Sequence, residues 1–177
     1  QKPPEYESII EWVQRQWIDE WIAEFASDMI AAYLVGPAYG WANLRLSSSL
    51  SDDIFRPGPD DIKATHPSDD ARTQGIIKML DCLGLNVEAR QIQQQWDRYV
   101  VLTGRKPPQD YTLCYPVTLL EKLALAVSQG CAKLRLKAFT EQVPPGGGIN
   151  IPVLLNHAWK RFITEPDEYP RWEKDRL

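Results

Sequence analysis

The chain has 177 residues, 44% of them hydrophobic and 25% charged, a composition that supports one sizeable core or two small ones. A formal charge of -4 excludes a nucleic-acid surface as the main function, because neutralising phosphates takes a basic face. No apolar run approaches the roughly 20 residues that span a bilayer, so no membrane span is expected.

The opening residues do not read as a secretory signal. Gln1 stands where a natural start would have Met, which fits a removed tag, a cut precursor or a trimmed boundary. Pro3 and Pro4 precede a stretch from Glu5 to Val35 that contains neither Pro nor Gly. Within it Ile9, Ile10, Val13, Trp17, Trp21, Phe25 and Met29 recur at helical spacing, which predicts one long helix ended by Gly36-Pro37. Pro37 suits the first turn of a second helix through Trp41 and Leu44. Ser47 to Thr65, rich in Ser, Asp, Pro and Gly, reads as a loop. In "HPSDDARTQGIIKMLDCLGL" a helix restarts, with Pro67 in its first turn and Asp69 and Asp70 at its positive end. A further amphipathic helix is expected to be capped by Asn86 and stopped at Gly104.

The segment "KPPQDYTLCYP" reads as a loop, Val117 to Leu136 as an apolar helix, and "EQVPPGGGINIP" as a connector. Pro152 to Ile163 predicts the last substantial helix, and the tail "EPDEYPRWEKDRL" adds a turn or two. The fold class is therefore all-α, an irregular bundle of about seven helices with one long N-terminal helix. Two segments are expected, 1–85 and 86–177, packed on each other or fused into a single domain. Cys82, Cys114 and Cys131 are odd in number and form no C-x-x-C, so they read as free thiols of core residues in a reducing cytoplasm.

Two carboxylates interrupt the first helix. Trp17, Trp21, Glu24, Asp28 and Ala31 are spaced 4, 3, 4, 3, which places them on one helical stripe. Carboxylates on a buried stripe need a metal, a basic partner or a proton. The plainest compensation is an arginine, such as Arg45, Arg72 or Arg90, holding helices in register. A more functional one draws on "THPSDDAR", where His66 stands at the mouth of a helix and Arg72 lies inside it. Glu24, Asp28, His66 and Arg72 are expected to meet across a helix-helix contact.

E-x-x-x-D on a helix, then a break, a loop and H-P followed by Arg, resembles the C-terminal half of gluzincin zinc peptidases. The closest likeness is the lineage of CAAX prenyl endopeptidases and heat-shock membrane proteases, and it covers about Ile18 to Leu83. The resemblance implies that Glu24 is the third zinc ligand and Asp28 a carboxylate that orients a zinc-binding histidine. It implies that His66 lies near the reacting carbonyl as a catalytic residue, followed by Arg72 as a supporting one. The H-E-x-x-H helix of that family, with its two zinc ligands and general base, is not in the sequence; His157, in "LLNHAWKRF", lacks the pattern and reads as structural. Either that helix lies upstream of Gln1 or the lineage has lost it.

The functional expectation is the C-terminal helical portion of a soluble zinc-metallopeptidase-like protein acting on a peptide or protein substrate, and inactive as this chain alone. Zinc is expected only together with an upstream H-E-x-x-H helix. The alternative is a non-enzymatic helical module that binds another protein through its Trp-rich helix or its C-terminal tail.

Overall fold

The computed structural model describes residues 6–50, 53–56, 65–141 and 150–176, and every regular element among them is helical. A continuous helical rod runs from Tyr6 to Val35 as α1 (Tyr6–Gln16), one π-helical turn (Trp17–Trp21) and α2 (Ile22–Val35). The expected start at Pro3-Pro4 lies outside the described residues. The π turn has a cause in the sequence. Buried Ile9, Val13, Trp17, Trp21, Phe25, Met29 and Tyr33 repeat at every fourth position. An α-helix turns about 100° per residue, so a strict four-residue repeat drifts by about 40° at each step. A turn that takes up an extra residue offsets this drift and keeps the stripe facing inward.

The rod ends at Gly36, whose φ of 73° and ψ of -151° lie where L side chains are rarely found. The Phe139 ring occupies the space a side chain would need there: a Cβ on Gly36 would sit 2.5 Å from it. Helix α3 (Pro37–Leu50) starts at once. Its expected end before Ser47 is corrected, because the serines find hydrogen-bond partners while in helical geometry. Ser48 and Ser49 donate to the Arg45 carbonyl, and Ser47 donates to Asp69. Of the loop that follows, Ile54 and Phe55 are buried in the core, and the Asp70 N–H donates to the Ile54 carbonyl.

Helix α4 (Asp69–Cys82) is capped by Ser68, whose hydroxyl accepts from the Ala71 N–H at 3.2 Å. Pro67 thus precedes the cap instead of occupying the first turn. In α5 (Asn86–Thr103), Asn86 is already helical and does not cap; Leu85 holds that position. Gly104 ends α5 in the left-handed conformation, as expected. The expected loop at 106–116 contains a helical turn, α6 (Tyr111–Cys114), because Tyr111, Cys114 and Tyr115 are all drawn into the core. Helix α7 (Val117–Lys133) stops short of Leu136, which instead closes the helix end through its N–H to the Cys131 carbonyl. A 3-10 turn (Phe139–Glu141), α8 (Ile151–Thr164) and α9 (Tyr169–Arg176) complete the described chain. The glycine-rich connector at 142–149 lies outside the described residues.

Counted by substantial elements, the described residues form a bundle of seven helices, with the rod as the first and α6 a single turn. Helices α2, α4 and α7 pack on one another, and α3 and α5 lean on α4. Trp17 stacks on Phe25 and Trp21 on Tyr115, with ring centroids 4.9 and 4.8 Å apart. The Trp17 indole donates to the Cys114 carbonyl at 2.8 Å, fastening the rod to α6. Residues on both sides of Leu85 share this core, from Ile9 to Ala138. Cys114 and Cys131 are buried in it, and burial pushes the Cys114 thiol up to about 12. Cys82 departs from the core reading: it is exposed, near the end of α4. Among the described residues no helix is long and apolar enough to cross a membrane.

Asn156 of α8 staples the corner between α2 and α3. Its Nδ2 donates to the Val35 carbonyl at 2.7 Å, and its Oδ1 accepts from the Ala38 N–H at 2.8 Å. Gly36→Ala should therefore be costly twice over, through the backbone and through Phe139, by about 2–4 kcal/mol in urea unfolding. Gly104→Ala, at φ 66° with open space around it, should cost only about 1 kcal/mol.

Candidate functional site

Three elements converge on one edge of the bundle. Helix α2 presents Glu24 and Asp28, the segment entering α4 presents His66, and the first turns of α4 and α3 present Arg72 and Tyr39. The entry segment is firmly held. Pro67 and Ser68 are buried, the Ser68 N–H donates to the Tyr115 hydroxyl, and the Ser68 and Tyr111 hydroxyls share a hydrogen bond. With its successors anchored in the core, His66 stays at the surface, 66% exposed, with Nδ1 3.3 Å from Glu24 Oε2.

One turn along α2, Asp28 is 3% exposed. Arg72 grips it bidentately, Nε to Oδ2 at 2.7 Å and Nη2 to Oδ1 at 2.8 Å. Tyr39 donates its hydroxyl to Oδ1 at 2.6 Å. The Asp28 hydrogen bonds raise the Arg72 pKa, and burial together with Asp28 raises that of Tyr39. At any ordinary pH the Arg72 guanidinium is thus charged and the Tyr39 phenol neutral.

The four residues singled out in the sequence meet here, in two pairs: Glu24 with His66 and Asp28 with Arg72. The stripe reading needs correction for Glu24. The π turn and the core place Phe25, Asp28, Met29 and Ala32 inward, while Glu24 lies at the edge, 34% exposed, and Ala31 is half-buried. Only Asp28 is a carboxylate that burial forces to find a partner, and of the three arginines considered, Arg72 supplies it. Arg45 and Arg90 are exposed.

Tyr39 was not singled out by pattern. Its signal is positional: two residues after Pro37, on the first turn beyond the Gly36 corner, it is folded back toward α2. Asp70 was read only as a complement to the helix dipole. It also accepts from the Trp96 indole at 2.6 Å and the Tyr111 hydroxyl at 2.9 Å, linking α4 to α5 and α6. Burial raises the Asp70 carboxyl above its ordinary range, while these hydrogen bonds pull it back.

Glu24 and His66 are both metal-ligating types, yet they are two donors, whereas structural zinc takes four protein ligands and catalytic zinc three. No group of three or more His, Cys, Asp or Glu able to hold a metal exists among the described residues. The residues present do not by themselves fit a zinc ion. No family model matches the chain, and searches of curated proteins and of solved structures give no match.

Asp28→Asn should cost roughly 3 kcal/mol of unfolding free energy, because Arg72 is then left largely uncompensated. Glu24→Gln should change stability by less than about 1 kcal/mol, since its partner is solvated. Equal losses in urea unfolding would contradict this division between the two carboxylates.

For Asp70 the folded pKa is raised, so its contribution to stability is fully present below the unfolded carboxyl value and is lost as pH rises through the folded value. Asp70→Asn keeps an acceptor for Trp96 and removes the titration. The stability of the wild type relative to Asp70→Asn should therefore fall as pH rises from the ordinary carboxylate range toward neutrality. A difference that is flat with pH, or that grows, would contradict the assignment.

Proposed function

We propose that this chain is the C-terminal helical portion of a zinc-metallopeptidase-like protein, with Glu24 as a metal ligand to be joined by donors from outside the described residues. In this reading His66 sits beside the reacting carbonyl, and Asp28 and Arg72 support the site from below. One observation carries it. The two motifs E-x-x-x-D and H-P-x-x-x-x-R, which begin at Glu24 and His66, pair in order across the fold, Glu24 to His66 and Asp28 to Arg72.

The two pairs have different tasks. Asp28 is saturated by Arg72 and Tyr39 and fixes the spacing of α2, α3 and α4. Glu24 lies within the electrostatic reach of Arg72 but makes its ion-pair contact with His66, at the solvent-facing edge where a metal ligand and a group beside the carbonyl would both be accessible. A carboxylate and an imidazole alone bind zinc weakly, so the isolated chain is expected to show no peptidase activity. The alternative, a non-enzymatic protein-binding module, cannot use Trp17 or Trp21, which are buried. Helix α8, with no buried residue among those described, is the better surface for it.

Zinc titration followed by NMR tests the reading. The His66 ring and the Glu24 carboxylate should shift together, with weak affinity that Glu24→Gln reduces further. The reading also requires an H-E-x-x-H helix encoded in frame ahead of Gln1. Zinc-induced shifts that ignore His66, or that survive Glu24→Gln unchanged, would overturn it, as would chelator-sensitive peptidase activity in a Glu24→Gln, His66→Ala variant.

A further inference from the structure

A second concavity lies on the opposite side of α3. Tyr39 faces Asp28, but Pro37 and Trp41, each two residues away and about 200° around the helix, line a cleft of about 500 Å³ between α3, α5 and α8. That volume falls within the usual range of ligand sites, about 300–1,000 Å³. We propose that this cleft binds a short peptide in extended conformation, with an acidic group held by Lys160. The proposal does not rest on the zinc-peptidase reading, since it uses none of Glu24, Asp28, His66 or Arg72.

The walls carry the argument. Helix α5 contributes Glu88, Gln91 and Gln95, and α8 contributes His157, Lys160 and Thr164. On each helix the spacing is three, then four, which puts one face of each toward the cleft. Seven residues of helix rise by about 10 Å, the length of about three residues of extended chain at about 3.4 Å each. Trp41 and Phe139 give an apolar surface for a side chain. The glutamine carboxamides each both donate and accept, which is what the alternating N–H and C=O of an extended backbone require.

The charges add polarity. Among the described residues neither Lys160 nor Glu88 has an ion-pair partner, and the two stand on opposite walls. A free cation facing a free anion suits a ligand with a carboxylate at one end and an ammonium at the other. A polyphosphate is disfavoured, because the cleft offers one lysine and sets a glutamate against it. His157, read from sequence as structural, is exposed and lines this cleft. The cleft stays open because α8 is held at its edge: Asn156 binds the α2–α3 corner, and no α8 residue is buried.

Titrating the full chain with the free tripeptide Leu-Phe-Glu, followed by ¹⁵N NMR, tests this. The Trp41 indole N–H and the Gln91 and Gln95 carboxamides should shift saturably. The Trp21 indole in the core should stay fixed and report that the fold is intact. Lys160→Met should weaken binding about tenfold, and the acetylated, amidated peptide Leu-Phe-Gln should bind about tenfold more weakly to the wild type. Glu24→Gln should bind the tripeptide as the wild type does. The proposal is overturned if the cleft resonances do not move at 10 mM peptide, if Lys160→Met and the wild type bind alike, or if cellotriose shifts the Trp41 indole and the tripeptide does not.

Discussion

The buried carboxylate of Asp28 is the constraint around which the centre of the bundle is arranged. At 3% exposure it cannot keep its charge without partners. Its two oxygens take a bidentate guanidinium from α4 and a phenol from α3. That single requirement fixes three helices relative to one another. It sets how far Gly36 must turn the chain for Tyr39 to return toward α2, and the depth at which α4 begins so that Arg72 reaches across. Three directional hydrogen bonds tie the three helices to one register.

The aromatic core supplies the complementary, non-directional part. Trp17, Trp21, Phe25 and Tyr115 form a continuous set of stacked and edge-on rings linking the rod to the turn at Tyr111–Cys114. The π turn serves this packing, since without it a repeat of four would carry the later residues off the buried side. Two indole nitrogens in this region, of Trp12 and Trp21, are buried without a hydrogen-bond partner among the described residues. Ring contact there outweighs polar satisfaction: the Trp12 and Trp21 centroids lie 5.6 Å apart, edge to face.

The functional edge of the molecule is built on this rigid base. Glu24 is on the same helix as Asp28, and His66 enters the same helix as Arg72, so the geometry of the surface pair is inherited from the buried one. Rigid elements hold reactive groups more accurately than loops do. On the far side of α3 the situation is reversed: α8 is held by a few polar contacts and leaves a cleft beside it. A tightly bonded side and a lightly packed side thus share one central helix.

The sequence alone determined that the protein is helical, because apolar spacing and the positions of Gly and Pro are local properties of the chain. The rod, the corner at Gly36-Pro37 and the stop at Gly104 are legible for that reason. So was the need of Asp28 for compensation, with an arginine as one of the three means considered, because a carboxylate in an apolar helix must be compensated wherever the chain goes. The sequence could not tell which arginine, since that depends on which helix lies opposite. It misread Glu24 as buried because a 4-3 stripe assumes unbroken α geometry, and the π turn shifts the phase; the strict four-residue repeat from Ile9 to Tyr33 was the signal of that shift. The serines at 47–49 and the turn at Tyr111 were misread because local propensity was overridden by contacts to α4 and to the core. Tyr39, the links of Asp70 to Trp96 and Tyr111, and the cleft beside α8 were decided by tertiary structure, since each depends on groups that are distant in the chain or on opposite sides of a sharp turn.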